Sequence, residues 1–141
     1  MTATTRNRRR SSSFLIVLAV AAAGCGGERH KTPEQVVRTW SAALNRGDNE
    51  AAAALFGSKV KSVAGDYQRV LRTRAQTLAF NRELGWCGPI VRIARHGNEV
   101  VAQFSLATRA PGRCERGGRE RGSVDFFVRD GKIVFFSQIG E

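Results

Sequence analysis

The chain has 141 residues, 42% hydrophobic and 25% charged, which bounds it to one globular domain with appendages and allows a packed core. The formal charge is +11, but Arg6, Arg8, Arg9 and Arg10 lie in the first 24 residues, and without them it falls to +7. Behind an export leader that charge argues against nucleic acid and for anionic head groups or wall polymers as partners.

The leader comes first. "MTATTRNRRRSSS" carries four arginines and no acid, and "FLIVLAVAAAG" follows with 11 uncharged residues. A basic stretch, a short apolar run and small residues at a cut site describe a secretory signal peptide over residues 1–24. The run is too short to span a bilayer, which needs about 20 apolar residues. A buried helix of a cytosolic domain is the other reading, and the arginine flank and missing amphipathic period oppose it. "AAGC", Ala22 to Cys25, resembles a bacterial lipobox, with Ala22 where leucine is usual. That resemblance implies a diacylglyceryl thioether on Cys25, two acyl chains and a stable hold on the membrane, where one chain would hold only marginally. Ordinary secretion, with Cys25 as a free thiol, is the alternative.

Residues 25–31 then form a tether, and residues 32–141 the domain. Thr32, Pro33 and Gln35 make a capping box that starts a helix with Val36, Val37, Trp40, Ala43 and Leu44 on one face. Gly47 ends it, and Asp48 caps the alanine-rich "NEAAAALF". "GSKVKSVAG" reads as a break. Asp66 is expected to cap a third helix over Tyr67–Arg82, with Val70, Leu71, Arg74, Ala75, Leu78 and Ala79 as its inner stripe.

After Gly85 the period shortens to two. "PIVRIAR" and "EVVAQFSLAT" read as a hairpin turning at Gly97–Asn98, with Ile93 facing Ala102 and Val91 facing Phe104. Arg109, Arg113, Arg116, Arg119 and Arg121 fall in a Pro-Gly-Arg stretch of 13 residues. They are candidate anion contacts, through bidentate bonds or anionic head groups; a solvated loop is the plainer reading. "SVDFFVRDGKIVFFSQ" is a second hairpin turning at Asp130–Gly131, expected to set Val128 against Ile133 and Phe126 against Phe135. Its two faces are both apolar, so one covers the helices and the other needs a cover, for which a second copy of the chain, a homodimer, is a candidate.

Cys87 and Cys114 remain for an oxidising compartment and are expected to pair, closing a loop of about 28 residues. No CxxC spacing or nearby histidine supports a metal or a catalytic thiol, since His30 lies in the tether and His96 in a turn. No metal or other cofactor is expected.

"PEQVVRTWSAALNRGDNEAAAALF" and "DGKIVFFSQ" together resemble the nuclear transport factor 2-like superfamily, including its SnoaL-like and ketosteroid isomerase-like members. The first stretch resembles its opening helices, the second its closing strand, and the resemblance covers nearly all of residues 33–138. It implies an α+β fold, N-terminal helices packed in a curved antiparallel sheet of about four strands, shaped as a cone around a pocket. Members include isomerases, cyclases, dehydratases and binding modules, so the fold leaves the function open.

Enzymes of the superfamily place acids, His, Tyr or Arg inside the cone, often with a carboxylate after the second helix. Here Lys59 and Lys61 stand in that segment. Asp125, flanked by Val124 and Phe126, is the remaining weak catalytic candidate, with Tyr67 as a donor. The plainer reading pairs Asp125 with an arginine across the sheet. Trp40, Trp86, Phe104, Phe126 and Phe135 are pocket-lining candidates, or simply core. The resulting expectation is a lipid-anchored extracytoplasmic module, non-catalytic, binding a small molecule or a protein and no nucleic acid. The alternative is a small-molecule isomerase, cyclase or dehydratase.

Overall fold

The computed structural model describes residues 30–110, 114 and 116–139. The leader, the lipidation candidate Cys25 and Arg113 lie outside them.

Helix α1 (Pro33–Asn45) begins as the sequence requires: Thr32 Oγ1 accepts from the Gln35 amide at 3.2 Å, and the Thr32 amide donates to Gln35 Oε1 at 2.9 Å. Val36, Val37, Trp40, Ala43 and Leu44 are its buried stripe. Gly47, at φ 76°, lets the chain reverse, and Asp48 caps α2 (Asn49–Ala54).

The segment after α2 corrects the sequence reading. "FGSKVKSVA" is a strand, β1 (Phe56–Ala64), and Tyr67–Leu71 is its hairpin partner β2, so the expected helix over Tyr67–Arg82 does not begin at Asp66. Along β1, Phe56, Val60 and Ser62 are buried while Lys59 and Lys61 face solvent, an alternation of period two. Helix α3 (Arg74–Glu83) starts later, at a second capping box between Thr73 and Gln76.

The remaining strands are β3 (Trp86–Cys87), β4 (Ile90–His96), β5 (Glu99–Thr108), β6 (Glu120–Arg129) and β7 (Lys132–Ile139). They complete a sheet of seven strands rather than four, in the order β2-β1-β7-β6-β5-β3, with β4 also paired to β5. All pairs are antiparallel except β1 with β7, which is parallel. The sheet curls around α1, which packs against β3 to β7.

Both hairpin turns stand at the expected residues, but bulges shift the pairing further along the strands. Ile93 faces Ala102 as expected; Ile90, not Val91, faces Phe104, and Val91 is expelled to 48% exposure. Val128 faces Ile133 as expected, but a bulge then sets Phe126 against Phe136 and Phe127 against Phe135. Phe136 is therefore core, while Phe135, named as a pocket-lining candidate, lies with Phe127 on the outer face.

The two long hairpins give the cone two ends. The turns at Asn98 and Gly131 gather with His30, Lys31 and Pro33 at the end where the tether enters. Ala64, Trp86, Gly122 and Ile139 gather at the other. A ten-residue strand such as β5 separates them by roughly 30 Å.

Candidate functional site

The centre of the cone is filled. Trp40 is fully buried and meets the rings of Phe104, Phe126 and Phe136 edge-on, with centroids 5.3 to 6.2 Å apart. Phe80 closes against Phe136 at 5.0 Å. Such edge-to-face pairs add about 0.5–1.5 kcal/mol each beyond area burial. The Trp40 indole donates to Asn81 Oδ1 at 2.8 Å, and Asn81 Nδ2 donates to the Thr77 carbonyl at 2.7 Å. The buried polar side chains among the described residues are Ser41, Ser62, Thr77, Asn81 and Ser105, none of which titrates near neutral pH. Trp40, Phe104 and Phe126 are thus core.

Trp86 differs. It is half-buried, edges onto Trp40 at 6.2 Å, and forms the wall between clefts at the open end of the cone. One cleft, of about 360 Å³, opens between Trp86, Leu106, Val124 and Gln138, with Arg121 at its rim. A neighbouring cleft of about 270 Å³ shares Ala64, Trp86 and Gln138 and is backed by Tyr67, Arg69 and Glu83. Arg69 is engaged there by Glu83 at 3.0 Å.

The two catalytic candidates do not meet. Asp125 sits opposite Val101 and Ser137 on strands whose inward residues are Val124, Phe126 and Val128, so it lies on the outer face of the sheet. It shares a groove there with Glu99, Phe127, Arg129 and Phe135. Among the described residues it makes no ion pair, and its Oδ1 is buried without a hydrogen bond. The expected pairing with an arginine across the sheet is not formed. Desolvation first, and then the charge of Glu99, raise its carboxyl above the ordinary range. Tyr67 is 66% exposed on the edge strand β2.

The arginines divide. Arg109 donates to the Asn81 carbonyl and to Asn49 Oδ1, so its guanidinium ties helices α2 and α3 to the end of β5. Arg121 Nη1 donates to Ser105 Oγ at 3.1 Å and to the Gly118 carbonyl at 3.2 Å, which leaves it at the rim of the cleft of about 360 Å³. Arg116 and Arg119 are exposed.

Around them the described part of the loop is fastened at Cys114 and Gly118. Cys87 and Cys114 form a disulfide with Cα atoms 5.7 Å apart. The Cys114 amide donates to the Asn45 carbonyl, and Asn45 clasps Gly88 by two bonds of 3.0 Å. Gly88 is required: at φ 149° a Cβ would stand 1.9 Å from the Ser105 carbonyl oxygen. Among the described residues, no group of three His, Cys, Asp or Glu side chains is placed to hold a metal.

Sequence reasoning named Trp86 and Arg121 but missed Ala64, Leu106 and Gln138 as their neighbours. Their signal was positional: each lies at a strand end, and strand ends converge at the mouth of a curled sheet.

No protein-family model matches this chain, and no curated protein matches its sequence. Solved structures do match. An NTF2-like protein of unknown function from Cytophaga hutchinsonii superposes with a TM-score of 0.64 at 12% identity, over 82% of this chain and 95% of its own. A ketosteroid isomerase candidate from Kribbella flavida gives 0.59 at 24% identity, over 75% of each chain. A polyketide cyclase candidate from Pseudomonas putida gives 0.57 at 19% identity, over 79% of this chain and 92% of its own. With its curled sheet and three helices, the chain has the cone fold of the nuclear transport factor 2-like proteins.

Proposed function

We propose that this chain is a lipid-anchored extracytoplasmic lipoprotein whose cone domain is a non-catalytic binding module. The observation that carries the non-catalytic part is the filled interior: Trp40 and five phenylalanines occupy it, and among the described residues no ionisable side chain is buried with them. Acid–base catalysis needs such a group within reach of a substrate. The names of the Kribbella and Pseudomonas neighbours support the isomerase or cyclase alternative, and the outward placement of Asp125 weighs against it.

Binding then falls to the mouth at Trp86. The tether enters at the opposite end, so an anchor on Cys25 would hold the turns of the hairpins toward the membrane and the mouth toward the aqueous side. The outer face, with Val101 37% exposed and Phe127 and Phe135 half-buried, is the seat we assign to a second copy. Arg129 beside Glu99 and Asp125 gives a two-fold pairing opposite charges to match.

The test is the intact mass of the full chain recovered from membranes of a bacterial host. A start at Cys25 carrying diacylglyceryl mass supports the reading. A chain found in the cytosol with leader intact and Cys25 unmodified overturns it.

A further inference from the structure

The mouth cleft has a composition that selects among ligands. Its volume, about 360 Å³, is at the low end of small-molecule sites, which run from roughly 300 to 1,000 Å³. Its walls are apolar, made by Trp86, Leu106, Val124 and Ile139. Gly122 lets the Leu106 wall pack close: a Cβ there would come within 2.7 Å of Leu106 Cδ1. Among the described residues that line it, Arg121 alone carries a charge.

That arginine is exposed and tethered through one nitrogen. Nη1 is shared among Ser105 Oγ and the Gly118, Arg119 and Glu120 carbonyls, and Ser105 Oγ itself donates to the Gly118 carbonyl at 2.6 Å. Gly117 and Gly118 allow this close seating, since a Cβ on either would collide with Ser105 or Leu106. Nε and Nη2 make no hydrogen bond among the described residues. A guanidinium tethered at Nη1, with its Nε–Nη2 edge free, fits a planar monoanion, which takes two parallel N–H···O bonds. A doubly charged phosphate would call for a second cation in the cleft, but Arg69 nearby is engaged by Glu83.

We infer that the mouth cleft binds a small apolar molecule ending in a carboxylate, its body between Trp86, Leu106 and Val124 and its head on Arg121. This rests on the binding-module reading and gives it a ligand class. No bond is made or broken; the site holds and releases.

The experiment is titration calorimetry on the full chain in zwitterionic nanodiscs, corrected against empty nanodiscs. The probes are cyclohexanecarboxylate and its neutral isostere cyclohexanecarboxamide. The wild type should bind the carboxylate at least roughly tenfold more tightly than the amide, as expected for a charge-assisted pair. Arg121→Gln should bring the carboxylate down to the level of the amide and leave the amide unchanged. That pattern separates lost recognition from lost folding. Ala64→Trp, at an exposed rim position, should fill the cleft and abolish both. Equal affinity for the two probes in the wild type, or a preference that survives Arg121→Gln, overturns the carboxylate assignment and leaves the binding-module reading standing. Failure of the wild type to bind either probe overturns the inference too. The lipid anchor is judged separately, by the mass on Cys25.

Discussion

Trp40 and Asn81 join helix α1 to helix α3 through one buried hydrogen bond, indole Nε1 to Oδ1 at 2.8 Å. Both residues have no exposed surface. The bond therefore sits where losing one partner costs most, because the orphaned oxygen cannot turn to water. Trp40→Phe removes the donor and some volume together. The expected loss is about 2–4 kcal/mol in urea unfolding. Adding Asn81→Leu should recover part of it, since the orphaned acceptor goes too. A double variant no better than the single one would show that volume, not the hydrogen bond, carries the cost.

The disulfide fastens the arginine loop and the short strand β3 to one another across 27 residues of sequence. In the chain-entropy picture a closed loop of that size contributes about 3–4 kcal/mol. Replacing both Cys87 and Cys114 by serine should lower stability by that order. It should also raise hydrogen exchange at Gly88 and Gly118, which the loop holds against Asn45 and Leu106. Unchanged exchange at those amides would mean that the backbone bonds suffice without the bridge.

Helices α1 and α2 and the two hairpin turns were legible because their signals are local. Thr32 with Gln35, Asp48, Gly97–Asn98 and Asp130–Gly131 each act within a few residues. Strand β1 was not legible: Lys59, Lys61 and Ser62 make it polar, and only its period of two marks it. Its neighbour β7 lies far along the chain, so the burial that justifies Val60 is non-local. The start of α3 was legible and overlooked, since Thr73 and Gln76 repeat the pattern of Thr32 and Gln35. The bulges that expel Val91 and exchange Phe135 for Phe136 had no local signal. The mouth arises from topology, which brings Ala64, Trp86, Leu106 and Gln138 together from four strands.

Asp125 gives a pH signature. Its folded carboxyl is raised by desolvation and then by Glu99, so the native state holds the proton more tightly than the unfolded chain. That contribution is full below the ordinary aspartate value near ~3.9 and is lost as pH rises through the folded one. Asp125→Asn, which stays neutral, should therefore gain on the wild type as pH rises above the ordinary aspartate value near ~3.9. The gain should stay under about 1 kcal/mol, because the side chain is only partly buried and water screens it. Unfolding curves at dilute protein measure this, and a gap that widens toward acid would contradict it.

The outer face predicts an oligomer. Phe127 and Phe135 stand side by side there, with Val101 beyond them. Sedimentation of the full chain in detergent should show a dimer, and Phe135→Asp should return a folded monomer. A monomeric wild type would remove the second copy from the account.

The central claim is that the cone is shut inside and open at its mouth. Indole hydrogen exchange by NMR on the isotope-labelled full chain tests it, because the chain has two tryptophans, Trp40 and Trp86. The account predicts that the Trp40 indole proton exchanges only through global unfolding, while that of Trp86 exchanges fast and shifts when cyclohexanecarboxylate is added. Trp40 exchanging as fast as Trp86, or shifting with the ligand in its place, would mean a hollow interior and would contradict it.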